Sequence, residues 1–266
     1  MSLISIVIPT FNAEKYIVDT IESVLYQTHT EFEVLVVDDC STDSTVELVN
    51  ELEGKDPRVK LIQLNHNTGG PAEPRNVGIE KATGEWIAFL DADDLWHPQK
   101  LEKQLVLAES ENADFICSKL VDFRGELTLN EIKSSELGNE DISPLNFNNL
   151  IVKNRVGTSS VLVRAKLIKN FRFDTARKYV AVEDYKLWLE LSSTKSKMVK
   201  SSLPLVRYRI LSSSISRNKS KQIKKVLRVV WETCESHSFS RKLMYPIYVL
   251  TYASESIRLR LFKKEL

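Results

Sequence analysis

The 266-residue chain carries 37 Lys and Arg against 36 Asp and Glu, with 42% hydrophobic residues and no low-complexity tract. A disordered or fibrous protein is thereby excluded, and one large domain or two small ones can bury a full core. The near-neutral total hides a polarity, because residues 1–195 hold 21 basic and 32 acidic side chains while residues 196–266 hold 16 and 4, so the C-terminal part suits an anionic partner.

Cys40, Cys117 and Cys234 are odd in number and far apart, which fits reduced thiols in the cytosol and offers no zinc spacing. The N-terminus has no basic residues ahead of its apolar run and reads as a strand, not a signal peptide. Ser5-Ile6-Val7-Ile8 forms that strand, stopped by Pro9, and Asn12 is placed to cap a helix with Ile17, Ile21, Val24 and Leu25 on one face. A second buried strand over residues 32–37 ends in Asp38 and Asp39. Ser44 with Glu47 reads as a capping box for a helix to about residue 52. A strand over 59–64 leads into a loop at 65–71 with two glycines, then a helix over 75–82 closed by Gly84.

Residues 85–90 are apolar at five of six positions without alternation, the pattern of a strand covered on both faces. It empties into Asp91-Ala92-Asp93-Asp94. Pro98 opens a helix carrying Leu101, Leu105 and Ala108, and residues 114–118 form a further strand. Between 119 and 149, Gly125, Gly138 and Pro144 break any period, so a loop, lid or insertion is expected. A strand over 159–163, a short helix over 184–191 with Leu187, Trp188 and Leu191 inward, and a strand over 203–210 follow. The tail reads as helical, with Ile223, Leu227, Val230, Trp231 and Cys234 on one face and Lys221, Lys224, Lys225 and Arg228 elsewhere. The uncharged stretch at 243–254 falls short of the about 20 residues a membrane span needs.

Strands alternating with helices over the first hundred residues predict an α/β fold with a mostly parallel sheet. In such a sheet the strand ends lie side by side, so Pro9-Thr10-Phe11-Asn12, Asp38-Asp39 and Asp91-Ala92-Asp93-Asp94 should converge on one crevice. Carboxylates crowded there are hard ligands for magnesium or manganese; the plain alternative is a solvated acidic turn. Asp39 suits a base edge or ribose, or else a helix cap. Arg75 suits a phosphate, or else a solvated face. Neither a G-x-G-x-x-G fingerprint nor a P-loop is present.

Ile6-Val7-Ile8-Pro9-Thr10-Phe11-Asn12, Val36-Val37-Asp38-Asp39-Cys40-Ser41-Thr42-Asp43, Pro74-Arg75-Asn76-Val77-Gly78-Ile79, residues 84–94 and Glu183-Asp184-Tyr185 form an ordered set. The set resembles the successive motifs of family-2 glycosyltransferases with the GT-A fold, closely over residues 3–118 and more loosely to 217. The resemblance implies a Rossmann-like nucleotide-sugar-binding sheet with a C-terminal helical extension: a donor part at 1–118, an acceptor part with the base at 119–217 and a basic helical tail at 218–266. It implies inverting transfer of a sugar from a nucleoside diphosphate, UDP above all, to a glycan or lipid-linked glycan. Pro9, Thr10, Phe11, Asn12, Asp38, Asp39, Arg75, Asp91, Ala92 and Asp93 would then hold the nucleotide sugar. Asp93, with Asp91 and Asp94, would bind Mn2+ or Mg2+, which neutralises the diphosphate. Asp184 matches the general base, with Glu183 beside it.

A Gln-x-x-Arg-Trp motif is missing, which favours transfer of one residue over polymerisation. Where many relatives carry a histidine shortly after Tyr208-Arg209, this chain has Leu211-Ser212, leaving a metal or diphosphate contact open. The basic tail with Trp231, Tyr245, Tyr248, Leu259 and Phe262 suits an anionic membrane surface at the cytoplasmic face, or pairing in a homodimer. No nucleic-acid module is evident. A sugar nucleotidyltransferase and a catalytically silent nucleotide-sugar binder are the alternative readings; the first lacks its Gly-rich basic loop, and Glu183-Asp184 argues against the second.

Overall fold

Apolar runs without alternation demand cover on both faces, and the chain supplies it with helices on either side of one large sheet. The computed structural model describes residues 2–133, 137–211 and 219–237, with residues 246, 248 and 249 besides. In chain order the elements are β1 (Ile4–Thr10), α1 (Ile17–Leu25), β2 (Phe32–Asp38), α2 (Thr45–Lys55), β3 (Val59–Gln63), α3 (Ala72–Lys81) and β4 (Trp86–Phe89). Then follow β5 (Leu95–Trp96), α4 (Lys100–Ser110), β6 (Phe115–Cys117), β7 (Leu120–Phe123), α5 (Leu129–Lys133), β8 (Ile142–Leu145) and α6 (Phe147–Val152). A 3-10 turn (Thr158–Ser160) precedes β9 (Leu162–Arg164) and α7 (Ala165–Ile168). A second 3-10 turn (Arg177–Tyr179) precedes α8 (Glu183–Ser192), β10 (Met198–Ser201), β11 (Val206–Arg209) and α9 (Lys219–His237).

Eight strands form the main sheet in the order β3-β2-β1-β4-β9-β6-β10-β8. β1 to β4 are mutually parallel, β9 runs antiparallel to both β4 and β6, and β8 is antiparallel to β10. A smaller sheet, β5-β11-β7, lies beside it. The main sheet thus takes strands from both the segment before residue 118 and the one after it. Alternate residues of β1 enter different cores. Val7 joins Leu35, Ile79, Phe89 and Trp188 on the face covered by α3, α8 and α9, while Ile6 and Ile8 join Ile17, Val36 and Leu101 on the face of α1, α2 and α4.

Several local expectations are corrected. β1 runs through Pro9 to Thr10: the Val7 carbonyl accepts from Leu90 N–H on the β4 side, so two residues on, the missing N–H of Pro9 faces ground where β4 has ended and costs no ladder bond. Asn12 does not cap α1, whose N-cap is Tyr16; Asn12 is left-handed at φ 48° and its Oδ1 accepts from Thr42 N–H at 2.8 Å. Ser44 stands at the N-cap of α2 but makes no side-chain cap; the side chain that reaches the helix start is Asp43, whose Oδ1 accepts from Thr45 N–H at 3.1 Å. Residues 119–149 hold β7, α5 and β8, and β10 went unread in a stretch of mixed polar residues. On α9 the inward side chains are Val226, Val229, Val230, Thr233 and Cys234, whereas Ile223 and Trp231 are exposed, so the apolar face is rotated from the one expected. Tyr245, Leu259, Phe262 and Ser212 lie outside the described residues.

Gly84 does not close α3, which ends at C-cap Ala82. It instead passes tightly over the start of β1, where its N–H donates to Ser5 Oγ at 2.8 Å. That hydroxyl donates in turn to Glu33, which also accepts from Thr83 and Lys60, so one buried carboxylate ties the entrance of β4 to β1, β2 and β3. Burial alone would raise the Glu33 carboxyl, but these hydrogen bonds outweigh it and hold the group at about 2. A Cβ on Gly84 would sit 2.7 Å from Leu3 O and from Ser5 N, backbone atoms that cannot give way. Gly84→Ala is therefore expected to cost about 1–3 kcal/mol in urea unfolding. Gly54→Ala, exposed in α2 with nothing within 4 Å, should stabilise by up to ~1 kcal/mol in the same experiment.

Candidate active site

The ends of β2, β1 and β4 stand next to one another in the sheet and bring the three polar clusters to one edge. Asp39 N–H donates to Thr10 O at 2.8 Å, closing the first two. Asp38 is buried and spends its carboxylate on Ser41, accepting from both its N–H and its hydroxyl, so it braces the turn. Asp39 accepts from Thr68 N–H at 2.8 Å on Oδ1, and its carbonyl accepts from Asn67 Nδ2, which draws the 65–71 loop over the crevice. Its second oxygen takes no hydrogen bond from the described residues. Phe11 is half exposed just past the end of β1.

The acid cluster after β4 divides its work. Asp94 is fully buried, with Oδ2 accepting from Ser159 Oγ–H and Oδ1 from Arg209 N–H at 2.9 Å. Both oxygens are occupied by protein donors, so Asp94, grouped with the metal acids on sequence, is a brace. Ala92 contributes its carbonyl, which accepts from Thr20 Oγ1 at 3.0 Å and ties the turn to α1. Asp91, 33% exposed at its side chain, pairs with Arg75 Nη2 at 2.7 Å and donates its N–H to Ser159 Oγ. The Asp93 carbonyl accepts from Arg209 Nε at 2.9 Å. Burial and then the charge of Asp91 push the Asp93 carboxyl up to about 6, with Arg209 opposing; Asp94 is also raised, by burial and by both neighbours.

Arg75 lies on α3, whose approach to the sheet requires Gly78, where a Cβ would come 2.2 Å from Val7 Cγ1. The guanidinium is buried with its face 5.2 Å from the Phe173 ring centroid. Its fork is not left open for a phosphate: Nη1 pairs with Glu183 Oε1 at 3.0 Å and Nη2 with Asp91. Glu183 Oε2 and Arg75 Nε are buried without a hydrogen bond from the described residues. One guanidinium therefore spans the donor acids and the first residue of α8.

That helix is fixed from behind by Trp188, whose ring centroid is 5.1 Å from Phe115 and 5.7 Å from Phe173, and by Tyr185, whose hydroxyl donates to Leu150 O at 2.9 Å. Asp184 at its first turn accepts from Tyr185 N–H at 2.6 Å and from Thr158 Oγ1 at 3.0 Å. Burial, then Glu183, push its carboxyl to about 6, against the pull of Arg75 and the two hydrogen bonds. Thr158, Ser159 and Arg209 were not singled out on sequence. Ser159 read only as the start of a strand, Thr158 fell between Gly157 and that strand, and Arg209 was a landmark at a strand end; no spacing rule marks hydroxyls or a cation that serve carboxylates distant in the chain.

Two guanidiniums, Arg75 and Arg209, face Asp91, Asp93, Asp94, Glu183 and Asp184, an excess of negative charge that a divalent cation would relieve. Among the described residues no three His, Cys, Asp or Glu side chains form a ligand cluster. The acids left to receive a cation are Asp91 and Asp93, which are partly exposed and offer hard oxygen donors of the kind such ions prefer.

The profile of Glycosyl transferase family 2 matches residues 5–171. The chain belongs to glycosyl transferase family 2. Among family relatives, the putative teichuronic acid biosynthesis glycosyltransferase TuaG of Bacillus subtilis is 31% identical over 261 residues, spanning 97% of this chain and 98% of its own. The UDP-Glc:alpha-D-GlcNAc-diphosphoundecaprenol beta-1,3-glucosyltransferase WfgD of Escherichia coli is 34% identical, over 88% and 87% of the two chains. The same GT-A fold occurs in Staphylococcus aureus TarS solved with UDP-GlcNAc, at TM-score 0.74 and 23% identity over 95% of this chain and 72% of that one. A mannosyltransferase of Pyrobaculum calidifontis solved with GDP-Man and Mn2+ aligns at TM-score 0.69 and 15% identity, over 95% and 73%.

Replacing Arg75 by Met would leave the buried Glu183 charge without its partner. Arg75→Met is expected to lose about 3–5 kcal/mol in chemical denaturation. Arg75→Lys should recover little of it, because a single ammonium does not reproduce the two-pronged contact.

Proposed function

We propose that this chain is an inverting glycosyltransferase that moves a single sugar from a UDP-sugar to a hydroxyl of a glycan or lipid-linked glycan, with Asp184 as general base. The observation that carries the reading is the single guanidinium of Arg75 joining Asp91 to Glu183, the helix neighbour of an Asp184 carboxyl of raised pKa. The names of WfgD and TarS support uridine nucleotides and, for WfgD, a lipid-linked acceptor.

In this reading Asp39 and the 9–12 segment border the base and ribose, and Asp91 and Asp93 hold Mn2+ or Mg2+, for which the Mn2+ of the mannosyltransferase is support. A cation held by these two acids would supply charge stabilisation to the departing diphosphate. Asp184 accepts the proton of the acceptor hydroxyl as its oxygen forms a bond to the anomeric carbon, and the bond from that carbon to the diphosphate oxygen breaks. The proton ends on Asp184 and the electron pair on the diphosphate. Attack from the side opposite the leaving group inverts the centre.

No helix among the described residues is long and apolar enough to cross a membrane. We place the enzyme at the cytoplasmic membrane face, where the exposed Lys224, Arg228 and Trp231 of α9 would meet anionic lipid or a second copy of the chain.

Asp184→Asn is expected to cut transfer by roughly 10²–10⁴-fold while calorimetric UDP affinity stays at the wild-type value. A base near 6 must be ionised, so wild-type kcat/KM should fall about tenfold for each pH unit below that value and level off above it. Near-normal turnover of Asp184→Asn would remove the base assignment. Asp93→Ala should abolish the gain in UDP affinity that Mn2+ gives; equal affinity of wild-type protein with and without Mn2+ would count against the acid pair as a cation site.

A further inference from the structure

The base and the donor acids are joined a second time, by three consecutive residues that belong to neither. Thr158, Ser159 and Ser160 are all buried in a 3-10 turn, closed by Ser160 N–H on Gly157 O and Val161 N–H on Thr158 O. The turn is held by partners from the far core: Trp96 Nε1 donates to Ser159 O and Gln104 Nε2 to Ser160 O, each at 2.8 Å. Gly157 lets it press on β7, since a Cβ there would meet Leu120 Cδ1 at 2.5 Å. From this anchored turn adjacent hydroxyls reach in two directions. Ser159 Oγ serves Asp94 and Asp91 N–H, and Thr158 Oγ1 donates to Asp184 Oδ2.

We propose that the turn Thr158–Ser160 fixes the base relative to the donor acids, with Thr158 a positioning residue whose hydroxyl orients Asp184; this rests on the reading of Asp184 as the base. A carboxylate near the start of a helix swings about its side-chain torsions unless both oxygens are tied. Here the Tyr185 N–H ties Oδ1 and the Thr158 hydroxyl ties Oδ2. Threonine suits the task because its branched Cβ leaves few rotamers, so the hydroxyl keeps its place. The bond also favours the ionised carboxylate, in opposition to burial and to Glu183. The charged groups bearing on Asp184 are Glu183 of its own helix and Arg75 of α3, and a neutral substitution at 158 leaves both in place.

The test compares Thr158→Val, which keeps the shape and loses the hydroxyl, with Thr158→Ser, which keeps the hydroxyl. The Asp184 carboxyl is titrated by NMR in protein labelled at the aspartate carboxyl carbon, its signal assigned from Asp184→Asn. UDP release from UDP-glucose with Mn2+ is followed across pH. Thr158→Val should raise the Asp184 midpoint by about 0.5–1 pH unit and move the acidic limb of kcat/KM upward with it. At pH 6.5 kcat should fall about tenfold with donor KM and UDP affinity unchanged, and Thr158→Ser should restore both midpoint and kcat. A wild-type midpoint in Thr158→Val overturns the proposal, as does a Thr158→Ser protein whose midpoint is shifted like that of the valine variant, because a hydroxyl at this position would then not hold Asp184. Full turnover of Asp184→Asn would overturn the base reading instead, a result distinct from a silent Thr158→Val beside a dead Asp184→Asn.

Discussion

The active crevice depends on one buried cation. Arg75 is charged in a place that burial makes costly for charge, and it is held there by Asp91 on one prong and Glu183 on the other. These carboxylates lie on different parts of the chain, one after β4 and one opening α8. The ion triad therefore fixes the distance between the strand edge that would hold a nucleotide and the helix that carries Asp184. Its partners explain why α3 must come so close to β1, and hence why position 78 admits no side chain.

Around that triad the crevice is richer in acid than its own cations can neutralise. Asp93, Asp94 and Asp184 all meet the excess by holding protons more tightly than free carboxylates do, and Asp94 is in addition turned inward onto Ser159 and Arg209. The two responses separate roles that sequence presents as equal. Asp94, with both oxygens engaged and no exposed surface, is part of the scaffold; Asp184 has both oxygens tied but keeps partial exposure, and Asp91 and Asp93 still have oxygen capacity for a cation. The same excess that suits a cation on the donor side keeps Asp184 close to the pKa at which a carboxylate exchanges protons near neutrality.

The strands at 4–10, 32–38 and 86–89 were legible because burial on both faces writes an unbroken apolar run, and their acidic ends followed from sheet geometry. The capping expectations failed for a different reason. Asn12 and Ser44 are competent caps, but Asn12 found a distant partner in Thr42, and at the start of α2 it is the Asp43 side chain that accepts a helical N–H. Local chemistry cannot rank such competitors. The α9 face was misread because a helix of mixed Val, Leu, Ile and Trp admits more than one apolar stripe, and α8 chose the valines. The segment 119–149 gave no period because its elements are short and half exposed. Thr158 and Ser159 were invisible since their partners lie 26 and 65 residues away in sequence.

The reversed strand β9 has an architectural corollary. A parallel sheet offers a ligand only the residues that follow its strands, because every strand ends at the same rim. Inserting one strand that runs the other way brings to that rim a segment that comes before its strand, and the turn at 158–160 arrives by this route. The crevice is thus assembled from two kinds of connection with separate sequence constraints. Those constraints meet at Ser159, which lies in the segment leading into β9 and holds both the Asp91 N–H and the Asp94 carboxylate of the loop that leaves β4, so a change before β9 is felt at once on the neighbouring strand end.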